Sequence, residues 1–409
     1  MTPTMVLSYD EAAAVVRREA ERIRAANAGL GVERVPLVAA FGRVLAEAVV
    51  ADRDQPPFAR STRDGFACRA AELLHGELRV VGQLRAGEEW TRGPIGAGEA
   101  VEIMTGAAVP PGANCVVMVE HAEFAGGRIK LVSERGIEPG ENIVPAGAEA
   151  RAGDVVVPAG TRLGITGMGA AAACGGAVLP VFRRPRVAIV ATGDELVEVT
   201  EQPGAHQIRN SNSYSLAAQV AAAGGEARIL PIVRDESAAT KPASRDAEIS
   251  ELLLLTGGVS MGKFDLVEEA LLAEGAEFFF TGARIQPGKP VVFGKLPKMY
   301  FLGLPGNPIS TMVTFALFAA PLLHALGGER GWGPRFGMAR LVEEVRVKPG
   351  LTRFLPARVE SDLSGARVRR IAWQGSGDLA AAAQANRFLV VPETAEWLAV
   401  GEKVSVLEI

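Results

Sequence analysis

The sequence predicts a multidomain α/β protein, because the chain is long and because its pattern changes along its length. With 409 residues it is too long for one compact core. Between residues 183 and 333, short apolar runs alternate with helical segments, the order typical of right-handed βαβ units and a largely parallel sheet. Short β runs separated by turns lie before and after this region. We therefore predict an α/β core accompanied by smaller β-rich parts.

The segments before the core begin with a helix. Ser8 and Glu11 have the spacing of a capping box, so the first helix is expected to begin there. Residues 32–50 suggest a strand and a short helix, and the Gln55-Pro56-Pro57 run then breaks regular structure. From there to about residue 152, turn clusters separate short β runs, which predicts a small β-rich domain.

The core is predicted to alternate strands with helices, and the chain after it is predicted to be β structure. In the core, strands are expected at 187–191, 227–233, 252–255, 291–293 and 300–302, and helices at 213–223, before residue 250, at 266–274 and at 308–326. Beyond residue 334 the short runs have no long helix between them, which predicts a terminal β domain, either a sandwich or a barrel. Those runs lie at 341–347, 354–359, 368–373, 388–391 and 404–407.

Composition excludes several classes of function. The formal net charge of −4 offers no overall attraction to nucleic acid or anionic lipid. The three cysteines are widely separated and form no CxxC pair, so neither a disulfide framework nor a cysteine zinc site is predicted, and a reducing cytoplasm fits best. The N-terminus has no signal pattern, so export is not expected. Residues 163–182 are uncharged, but their many glycines and alanines favour a tightly packed internal helix over a membrane span.

Residues 255–265, LTGGVSMGKFD, allow three interpretations. In the first, Gly257, Gly262 and Lys263 have the spacing of a phosphate-binding P-loop. A P-loop needs Ser or Thr after the lysine to coordinate magnesium, and this chain has Phe264 there. The P-loop interpretation therefore lacks a required ligand.

The second interpretation is a hydrolase nucleophile elbow, with Ser260 between Gly258 and a later glycine. It needs a histidine after the serine, and the only one downstream, His324, falls inside a predicted apolar helix. The third interpretation is a glycine-rich turn that carries Asp265 to a metal and phosphate site. This interpretation conflicts with no residue of the stretch.

The loops after the core strands form the candidate site, because ligands of open α/β sheets bind beyond the carboxyl ends of the strands. Besides the stretch above, the loops at 192–195 and 303–308 combine glycines with polar groups. In the latter, Asn307 is a natural N-cap and Pro308 a natural first helical residue, so the amides of the helix start are expected to favour an anion. Ser310 adds a hydroxyl one turn in. A capped helix without a ligand is the alternative.

Carboxylates are predicted to gather along the same edge of the sheet. Asp194, Glu195, Asp235 and Asp265 all lie after predicted strands. Converging acids without histidine or cysteine suit Mg²⁺, which prefers oxygen ligands and usually bridges to substrate phosphates. A lone aspartate at a helix start is more often a cap, so the prediction depends on convergence. Lys289 lies in a proline-glycine turn, where it could neutralise phosphate or simply be solvated.

Six motifs, in order along nearly the whole chain, strongly resemble the MoeA family, the molybdopterin molybdenumtransferases, whose animal counterpart is the E domain of gephyrin. Together they are far more specific than any one of them. The motifs are Ser61-Thr-Arg-Asp64-Gly-Phe, Met104-Thr105-Gly-Ala-Ala-Val-Pro110, Ala191-Thr-Gly-Asp194-Glu195-Leu, Thr256-Gly-Gly-Val-Ser-Met-Gly262, Pro287-Gly-Lys289-Pro and Leu304-Pro305-Gly-Asn307-Pro308-Ile-Ser310.

The resemblance implies an elongated homodimer of four-domain subunits. Each subunit would have a MogA-like parallel or mixed α/β domain, an inserted β-rich domain, a connecting domain and a C-terminal β-barrel-like domain. The N-terminal helix would pack on the α/β domain. On this sequence, the expected boundaries are 1–30 for that helix, 31–50 with 153–182 for the connecting domain, 51–152 for the inserted domain, 183–333 for the α/β domain and 334–409 for the β domain.

The resemblance also implies the reaction. The enzyme would take adenylylated molybdopterin and molybdate, cleave the pyrophosphate with Mg²⁺, release AMP and leave molybdenum on the dithiolene. Partners would include a MogA-like adenylyltransferase and molybdoenzyme apoproteins, with no nucleic acid and no membrane. Carried over by motif, Asp64 and Thr105 of one subunit would face the metal ligands Glu195, Asp235 and Asp265 of the other. The implied substrate-binding residues are Asp194, Gly257, Gly258, Ser260, Lys289, Pro305, Asn307, Pro308, Ser310 and Ser376.

This sequence departs from the family pattern mainly where molybdate would bind. Gln286 stands where the family usually has lysine, and Pro356 where an arginine is expected. Ala148 interrupts the usual Gly-Glu-Asp turn, and Asn210 replaces an expected aspartate. A neutral glutamine cannot replace a charge, and Arg353 or Arg358 would have to compensate. Two alternatives therefore remain: a divergent paralogue with altered oxoanion use, and a non-catalytic scaffold.

Overall fold

The computed structural model describes residues 5–25, 31–132, 136–234, 249–257 and 264–409, without the side chains of His75 and of residues 264–267. The chain forms two compact units. The main unit comprises Met1–Ala46, Gly160–Gly164 and Leu179–Ile409. The insertion unit comprises Glu47–Ala159 and Ile165–Val178.

A six-stranded mixed sheet forms the α/β domain of the main unit. The strand Leu252–Thr256 lies near its centre and is buried along its whole length, as expected for a strand covered on both faces. Four neighbouring strands of the sheet pair in parallel. The strand Val292–Lys295 pairs antiparallel with both of its neighbours, Tyr300–Leu304 and the edge strand Glu277–Phe280. The order is Glu226–Ile229, Arg186–Ala191, Leu252–Thr256, Tyr300–Leu304, Val292–Lys295 and Glu277–Phe280. The predicted α/β core is confirmed, although the strand expected at 227–233 ends earlier, at Ile229.

Helices cover this sheet. Tyr9–Ala25 begins with the predicted capping box, in which the Ser8 amide donates to Glu11 Oε2 (2.7 Å) and the Glu11 amide to Ser8 Oγ (3.2 Å). The apolar face of this helix joins the same hydrophobic core as the sheet. The remaining helices of the main unit are Asn212–Ala222, Phe264–Ala273, Pro308–Thr314, Ala320–Leu326 and Leu379–Ala382.

The predicted helix at 308–326 is present, with one π-helical turn at Phe315–Ala319. Proline has no amide hydrogen, so Pro321 cannot donate to the carbonyl four residues before it, and the preceding turn widens. Within the described ranges, Pro308–Leu326 is the one helix long and apolar enough to cross a membrane. Its apolar window is 89% buried inside the protein, as in a core helix.

The C-terminal β domain is a closed barrel, which decides between the two predicted forms. The long strand Thr352–Asp362 pairs on one side with Gly365–Arg370 and on the other with Arg387–Val391. Strands Phe336–Leu341 and Lys403–Glu408 complete the ring. Pro356 lies inside the long strand, buried.

The insertion unit is built on a second six-stranded sheet, as the β-rich pattern predicted. Phe66, Val117 and Ile129 belong to the core on one side, while Ala67 and Val101 belong to a separate cluster. The strand order is Cys115–Met118, Gly65–Cys68, Glu99–Ile103, Leu78–Leu84, Arg128–Leu131 and Ala122–Ala125.

The expectation of a tightly packed internal helix within residues 163–182 is wrong. The helix covers only Ile165–Ala173, and Ala171 alone among its residues is buried. Gly175, at φ +74°, ends this segment, and the chain continues as the strand Val178–Phe182. Clustered glycines shorten the helix, and its small side chains bury little area.

Short strand pairs and 3₁₀ turns complete the two units. The pairs are Val6–Leu7 with Gly282–Ala283, Val32–Pro36 with Val178–Phe182, Val49–Val50 with Val155–Val157, Arg60–Ser61 with Ile143–Val144, Leu196–Val197 with Ile208–Arg209, and Val345–Arg346 with Trp397–Leu398, while Ile285–Gln286 joins the barrel. The 3₁₀ turns are Leu37–Ala39, Ala70–His75 and Val119–His121.

Candidate active site

A cavity of about 710 Å³ opens at the carboxyl edge of the α/β sheet. Strands Arg186–Ala191, Leu252–Thr256 and Tyr300–Leu304 are parallel neighbours, so their following loops meet at one edge. The size suits a small-molecule ligand. The cavity is lined by Ala191, Thr192, Gly193, Glu195, Leu196, Ile208, Arg209, Asn210, Ser211, Asn212, Thr256, Gly257, Pro290, Pro305, Gly306, Asn307, Pro308, Gly377 and Leu379.

Several residues named from the sequence line this cavity. They come from all three expected loops: Glu195 follows the first strand, Gly257 the second, and Pro305, Asn307 and Pro308 the third. Ser310 lies one turn into the helix and is 4% exposed, with its carbonyl accepting from Thr314 Oγ1 (2.8 Å). Ser310 is therefore buried behind the cavity wall.

The helix start at Asn307 differs from the expected free anion-binding turn. The Asn307 side chain makes no cap bond; its Nδ2 donates instead to Ser376 Oγ (2.9 Å). The amide of Ile309 donates to the Ser376 carbonyl (3.0 Å). Ser376 lies in the connection between the barrel strands Gly365–Arg370 and Arg387–Val391, and its carbonyl occupies an amide that the sequence pattern left free. This contact places Ser376 beside the cavity residue Asn307.

Asn212 joins the loops around the cavity and was missed in the sequence. Its Nδ2 donates to Thr256 Oγ1 (2.9 Å) and to the Gly306 carbonyl (2.7 Å). Both amide hydrogens are thereby used, and the buried Oδ1 has no partner among the residues that the structure describes. The sequence did contain a signal for it, because Asn212 follows two other polar residues at the start of a predicted helix. The buried Oδ1 can only accept a hydrogen bond.

Thr192 is the second missed residue. It follows the strand Arg186–Ala191 directly, is 4% exposed, and its Oγ1 has no hydrogen-bond partner within the described part of the chain. Buried polar atoms without partners are rare, and they mark places where a ligand or ion can complete the bonding. Thr192, Asn212 and Glu195 are all lining residues of one cavity, although the side-chain oxygens Thr192 Oγ1 and Asn212 Oδ1 are themselves buried. The exposed carboxylate of Glu195 is the kind of oxygen ligand that suits a hard cation such as Mg²⁺.

Gly257 must be glycine for two reasons. Its φ is +89°, in the left-handed region that side chains rarely adopt. A Cβ at this position would lie 2.2 Å from the Thr192 carbonyl oxygen. The first glycine of the loop thus allows two neighbouring strand ends to approach closely.

The predicted convergence of four carboxylates stays a prediction. Asp194 and Glu195 are both exposed, and Arg234 Nη1 donates to the Asp194 carbonyl (2.7 Å). Asp265 is the second residue of the helix Phe264–Ala273, whose first side chains are not described. Asp235 lies outside the described residues, as do Gly258 and Ser260. In the described ranges, no group of three or more His, Cys, Asp or Glu could hold a metal ion.

Lys289 is exposed in the turn between Ile285–Gln286 and Val292–Lys295. Its carbonyl accepts from the Ala283 amide (3.0 Å), and the next residue, Pro290, lines the cavity. Gln286 is exposed and lies opposite Arg353 in the parallel pairing of Ile285–Gln286 with Thr352–Asp362. Lys289 therefore directly precedes a cavity residue in the chain, and its own side chain is exposed.

Asp64 and Thr105 form their own contact in the insertion unit. The Thr105 amide donates to Asp64 Oδ1 (2.6 Å), and Thr105 Oγ1 donates to the same oxygen (2.8 Å). These two hydrogen bonds, the backbone one first, hold the pKa of Asp64 below its ordinary value. Asp64 is therefore an exposed carboxylate with a fixed orientation.

Asn210 takes a structural role in place of the aspartate that the family pattern expects. It is buried, its Oδ1 accepts from the Ser213 amide (3.2 Å), and its Nδ2 donates to Ser213 Oγ (2.9 Å). An aspartate could accept from the amide but could not donate to the hydroxyl oxygen. Asn210 thus orders the start of the helix Asn212–Ala222 without adding charge.

The hydrolase interpretation finds no support at His324. This residue is 6% exposed inside the helix Ala320–Leu326, and it does not line the cavity. Burial lowers the pKa of His324 to about 4. A buried core histidine of this kind does not serve the loop after Leu252–Thr256.

Family comparisons account for most of the chain. Residues 7–175 match the MoeA N-terminal region (domain I and II). Residues 188–325 match a probable molybdopterin binding domain, and residues 338–409 match the MoeA C-terminal region (domain IV).

Curated relatives and solved structures agree with these matches. A molybdopterin molybdenumtransferase of Nostoc sp. is 33% identical over 397 residues, covering 92% of this chain and 88% of the relative. The Bacillus subtilis protein of that name is 32% identical, covering 92% and 89%. A crystal structure titled molybdopterin biosynthesis moeA protein from Pyrococcus horikoshii OT3 covers 99% of this chain and 100% of its own, with TM-score 0.80 and 29% identity.

Proposed function

We propose, since the chain belongs to the MoeA family of molybdopterin molybdenumtransferases, that it is a transferase of molybdenum cofactor biosynthesis. The reaction would insert molybdenum from molybdate into adenylylated molybdopterin and release AMP. The observation that carries this proposal is the cavity at the carboxyl edge of the α/β sheet, lined by loops of three family motifs. Most of its lining residues belong to the part matched by the molybdopterin binding domain, while Gly377 and Leu379 belong to the part matched by the MoeA C-terminal region.

The cavity supplies groups of the kind that an anionic substrate requires. Asn307 and Ser376 are joined by a hydrogen bond at the helix start, and Lys289 lies in the turn that leads to Pro290 at the rim. Lysine, hydroxyl and amide groups bind phosphoryl oxygens. We assign these residues to holding the diphosphate of the substrate. The exposed Asp194 is assigned to the same substrate surface.

Three carboxylates are assigned to a divalent cation. Glu195 lines the cavity. Asp235 and Asp265 each follow one of two predicted strands that are consecutive along the chain. Mg²⁺ bound there would offset the charge that builds on the phosphoryl oxygens when the diphosphate bond breaks. Thr192 and Asn212, whose buried oxygens Oγ1 and Oδ1 have no partner in the described part of the chain, line the same cavity as Glu195. Removing any of the three carboxylates is expected to lower metal affinity.

Asp64 is assigned to the same reaction from the other subunit of a homodimer. The two hydrogen bonds from Thr105 fix its carboxylate and keep it ionised, as a group that must orient a substrate or a water requires. The sequence motif of Asp64 is one of the six that carry the family resemblance. Catalysis would then depend on dimerisation.

The residues at the positions where the family pattern expects molybdate-binding cations favour a second candidate, a paralogue with altered oxoanion use. Gln286 is neutral and exposed, and Pro356 is buried within a barrel strand, so neither supplies the cation of the family pattern. Arg353 lies opposite Gln286 and is half-buried. We assign Arg353 to replacing the missing charge near molybdate. A pure scaffold would need neither Arg353 nor the three carboxylates assigned to the cation.

The deciding experiment incubates the purified chain with adenylylated molybdopterin, Mg²⁺ and molybdate. AMP release and reconstitution of a molybdenum apoenzyme are both measured. Both products are expected of the transferase. AMP without reconstitution would favour the paralogue, and neither product would favour the scaffold.

Asp265→Asn tests the metal assignment in the same assay. We expect AMP release to fall by a hundredfold or more, on the order seen when a required metal ligand or charge-stabilising group is lost. Asp362→Asn, at the exposed end of the barrel strand Thr352–Asp362, is the matched control and should leave turnover unchanged. Wild-type turnover in Asp265→Asn would refute the role.

A further inference from the structure

Two buried cysteines of the insertion unit face each other across paired strands. Cys68 ends the strand Gly65–Cys68, Cys115 begins the strand Cys115–Met118, and the two residues are direct partners in the antiparallel ladder. Their Sγ atoms lie 3.7 Å apart, and both residues are free cysteines with 0% exposure. We propose that Cys68 and Cys115 form an oxidative modification site, at which a peroxide converts the two thiols into an intramolecular disulfide.

The reaction needs only small movements of the two residues. A disulfide bond is about 2 Å long, and directly paired antiparallel residues have Cα atoms about 4.5–5.5 Å apart, which lies within the Cα range of disulfides, so side-chain rotation with a small backbone adjustment can close the gap. In the first step the Cys115 thiolate attacks a peroxide oxygen, which gives a sulfenic acid and releases hydroxide. In the second step Cys68 attacks Cys115 Sγ, the S–S bond forms, and water leaves. Two sulfurs are oxidised and one peroxide is reduced.

Cys115 is the sulfur that reacts first. Among the described strands its strand is at the edge of the six-stranded sheet, and its outer side is hydrogen-bonded to the segment 140–142, so a peroxide reaches Cys115 when that segment opens locally. The hydrogen bond from the Cys68 thiol lowers the pKa of Cys115. That hydrogen bond, together with burial, raises the pKa of Cys68. Cys68 therefore remains a thiol until a sulfenic acid forms beside it.

The third cysteine provides an internal control. Cys174 is also buried, at 7% exposure, and its Sγ accepts from Gln55 Nε2 (3.3 Å). The structure gives it no contact with a second sulfur in the described residues. Burial alone is thus common to all three thiols, while a sulfur neighbour is specific to Cys68 and Cys115.

The position of the pair connects oxidation with the proposed site. Asp64 directly precedes the strand Gly65–Cys68, and its carbonyl accepts from the Val119 amide (3.1 Å) just beyond the partner strand. A disulfide would therefore join the two strands that hold the Asp64 backbone at their other end.

The test treats the folded full-length chain with hydrogen peroxide, alkylates the remaining thiols after denaturation, and maps tryptic peptides without reductant. The three cysteines fall in different peptides, 64–69, 93–128 and 163–183. We expect a linked pair of the first two, lost on adding dithiothreitol, with Cys174 alkylated. A linkage to Cys174 would overturn the proposal. So would the lack of any linkage in the folded chain when the same peroxide links cysteines of the urea-unfolded chain.

Single variants test the order of the steps. In Cys68→Ala the sulfenic acid at Cys115 has no resolving thiol, so dimedone should label it at least tenfold more than it labels Cys68 in Cys115→Ala. Circular dichroism first establishes that both variants fold. Equal or reversed labelling would overturn the assignment of Cys115 as the attacking sulfur. Neither readout depends on transferase activity, so failure here is distinct from failure of the proposed function.

Discussion

Thr105 controls the ionisation of Asp64 through two donors that can be separated. Thr105→Val removes the hydroxyl but keeps the amide, which is the stronger of the two causes. We therefore expect the pKa of Asp64 to rise only part of the way toward its ordinary value. The measurement is a carboxyl ¹³C titration by NMR with selectively labelled aspartate.

Asp362 supplies the control in the same spectrum. Its pKa is also held low, first by the Ser364 hydroxyl and then by the Ser364 amide, but it lies on the barrel. The titration of Asp362 should not change in Thr105→Val. An unchanged Asp64 titration would mean that the hydroxyl contact does not form. Because Asp64 is stabilised as a carboxylate, any stability that it contributes is present above its unfolded pKa and is lost as the pH falls through its folded pKa.

Asn212→Asp should break the hydrogen bonds that join the cavity loops while keeping the size and shape of the side chain. The substitution removes both donations from Nδ2, to Thr256 Oγ1 and to the Gly306 carbonyl, and places a carboxylate oxygen against that carbonyl. We expect a loss of about 2 kcal/mol in the free energy of unfolding. AMP release should fall roughly tenfold to a hundredfold, because small displacements of substrate-binding groups are costly. Urea unfolding and the AMP assay measure the two effects.

Ser215→Ala is the matched control for Asn212. Its hydroxyl donates to the Asn212 carbonyl within the same helix, and Ser215 does not line the cavity. Turnover should stay within about twofold of wild type, since the substitution changes only a local surface bond. Equal losses in the two variants would indicate a general defect of the helix.

The sequence predicted which loops form the site better than it predicted the hydrogen bonds that join them. The glycines and the N-cap pattern identified 192–195 and 303–308, because turn chemistry is local. Asn212 was missed because its acceptor Gly306 lies 94 residues away, and Ser376 reaches Asn307 across 69 residues. Local patterns hold no information about such partners. The contribution of Asp235 stays a prediction from its position after a predicted strand.

At the scale of elements, His324 should make stability depend on pH. Burial lowers its pKa from 6.5 to about 4, against an opposing attraction from Glu329. The folded chain thus keeps His324 neutral while the unfolded chain binds a proton below pH 6.5. This stabilisation is fully present above pH 6.5 and is lost as the pH falls through that range toward 4. Between pH 7 and pH 4.5 the loss amounts to roughly 2 kcal/mol.

His324→Gln should remove this dependence. The variant's free energy of unfolding is expected to fall by about 2 kcal/mol less than that of wild type between pH 7 and pH 4.5. Urea titrations at the two pH values measure it. His206→Gln, at an exposed position of the main unit, is the control and should keep the wild-type slope. A variant slope equal to that of wild type would mean that His324 is not the titrating group.

Elements with a clear pattern of apolar residues were predicted well. Elements that depend on contacts with residues distant in the sequence were not. The helix at 308–326 has apolar residues throughout and is buried, and its π-helical turn follows from Pro321. In contrast, residues 163–182 looked like one packed helix because glycine and alanine have no clear period. The strand Val178–Phe182 pairs with Val32–Pro36 and also bonds to residues 44–46, which are distant in the sequence. Pairing across that sequence separation is not encoded locally.

At the scale of the whole molecule, the sequence predicted the classes of domain but not their closure. Alternating strands and helices gave the α/β sheet, including its central buried strand Leu252–Thr256. The barrel closes because Thr352–Asp362 pairs with both Gly365–Arg370 and Arg387–Val391, and a sandwich would have given similar short runs. Likewise, the sequence pattern did not show that the strand Val292–Lys295 pairs antiparallel with its neighbours. Closure is a property of pairing, which alternation alone does not determine.

Mixed dimers test whether the site is shared between subunits. In a heterodimer of an Asp64→Asn chain and a Glu195→Gln chain, a shared arrangement leaves one site with both changes and the other with neither. We expect about half of the wild-type AMP release from heterodimers isolated with two different tags. If both residues acted within one chain, each site would carry a defect and activity would stay near that of the single variants. Homodimers of either variant are the control, because neither contains an intact site. Failure to recover any heterodimer after co-expression would contradict the dimer itself, and with it the assignment of Asp64 to the partner's cavity.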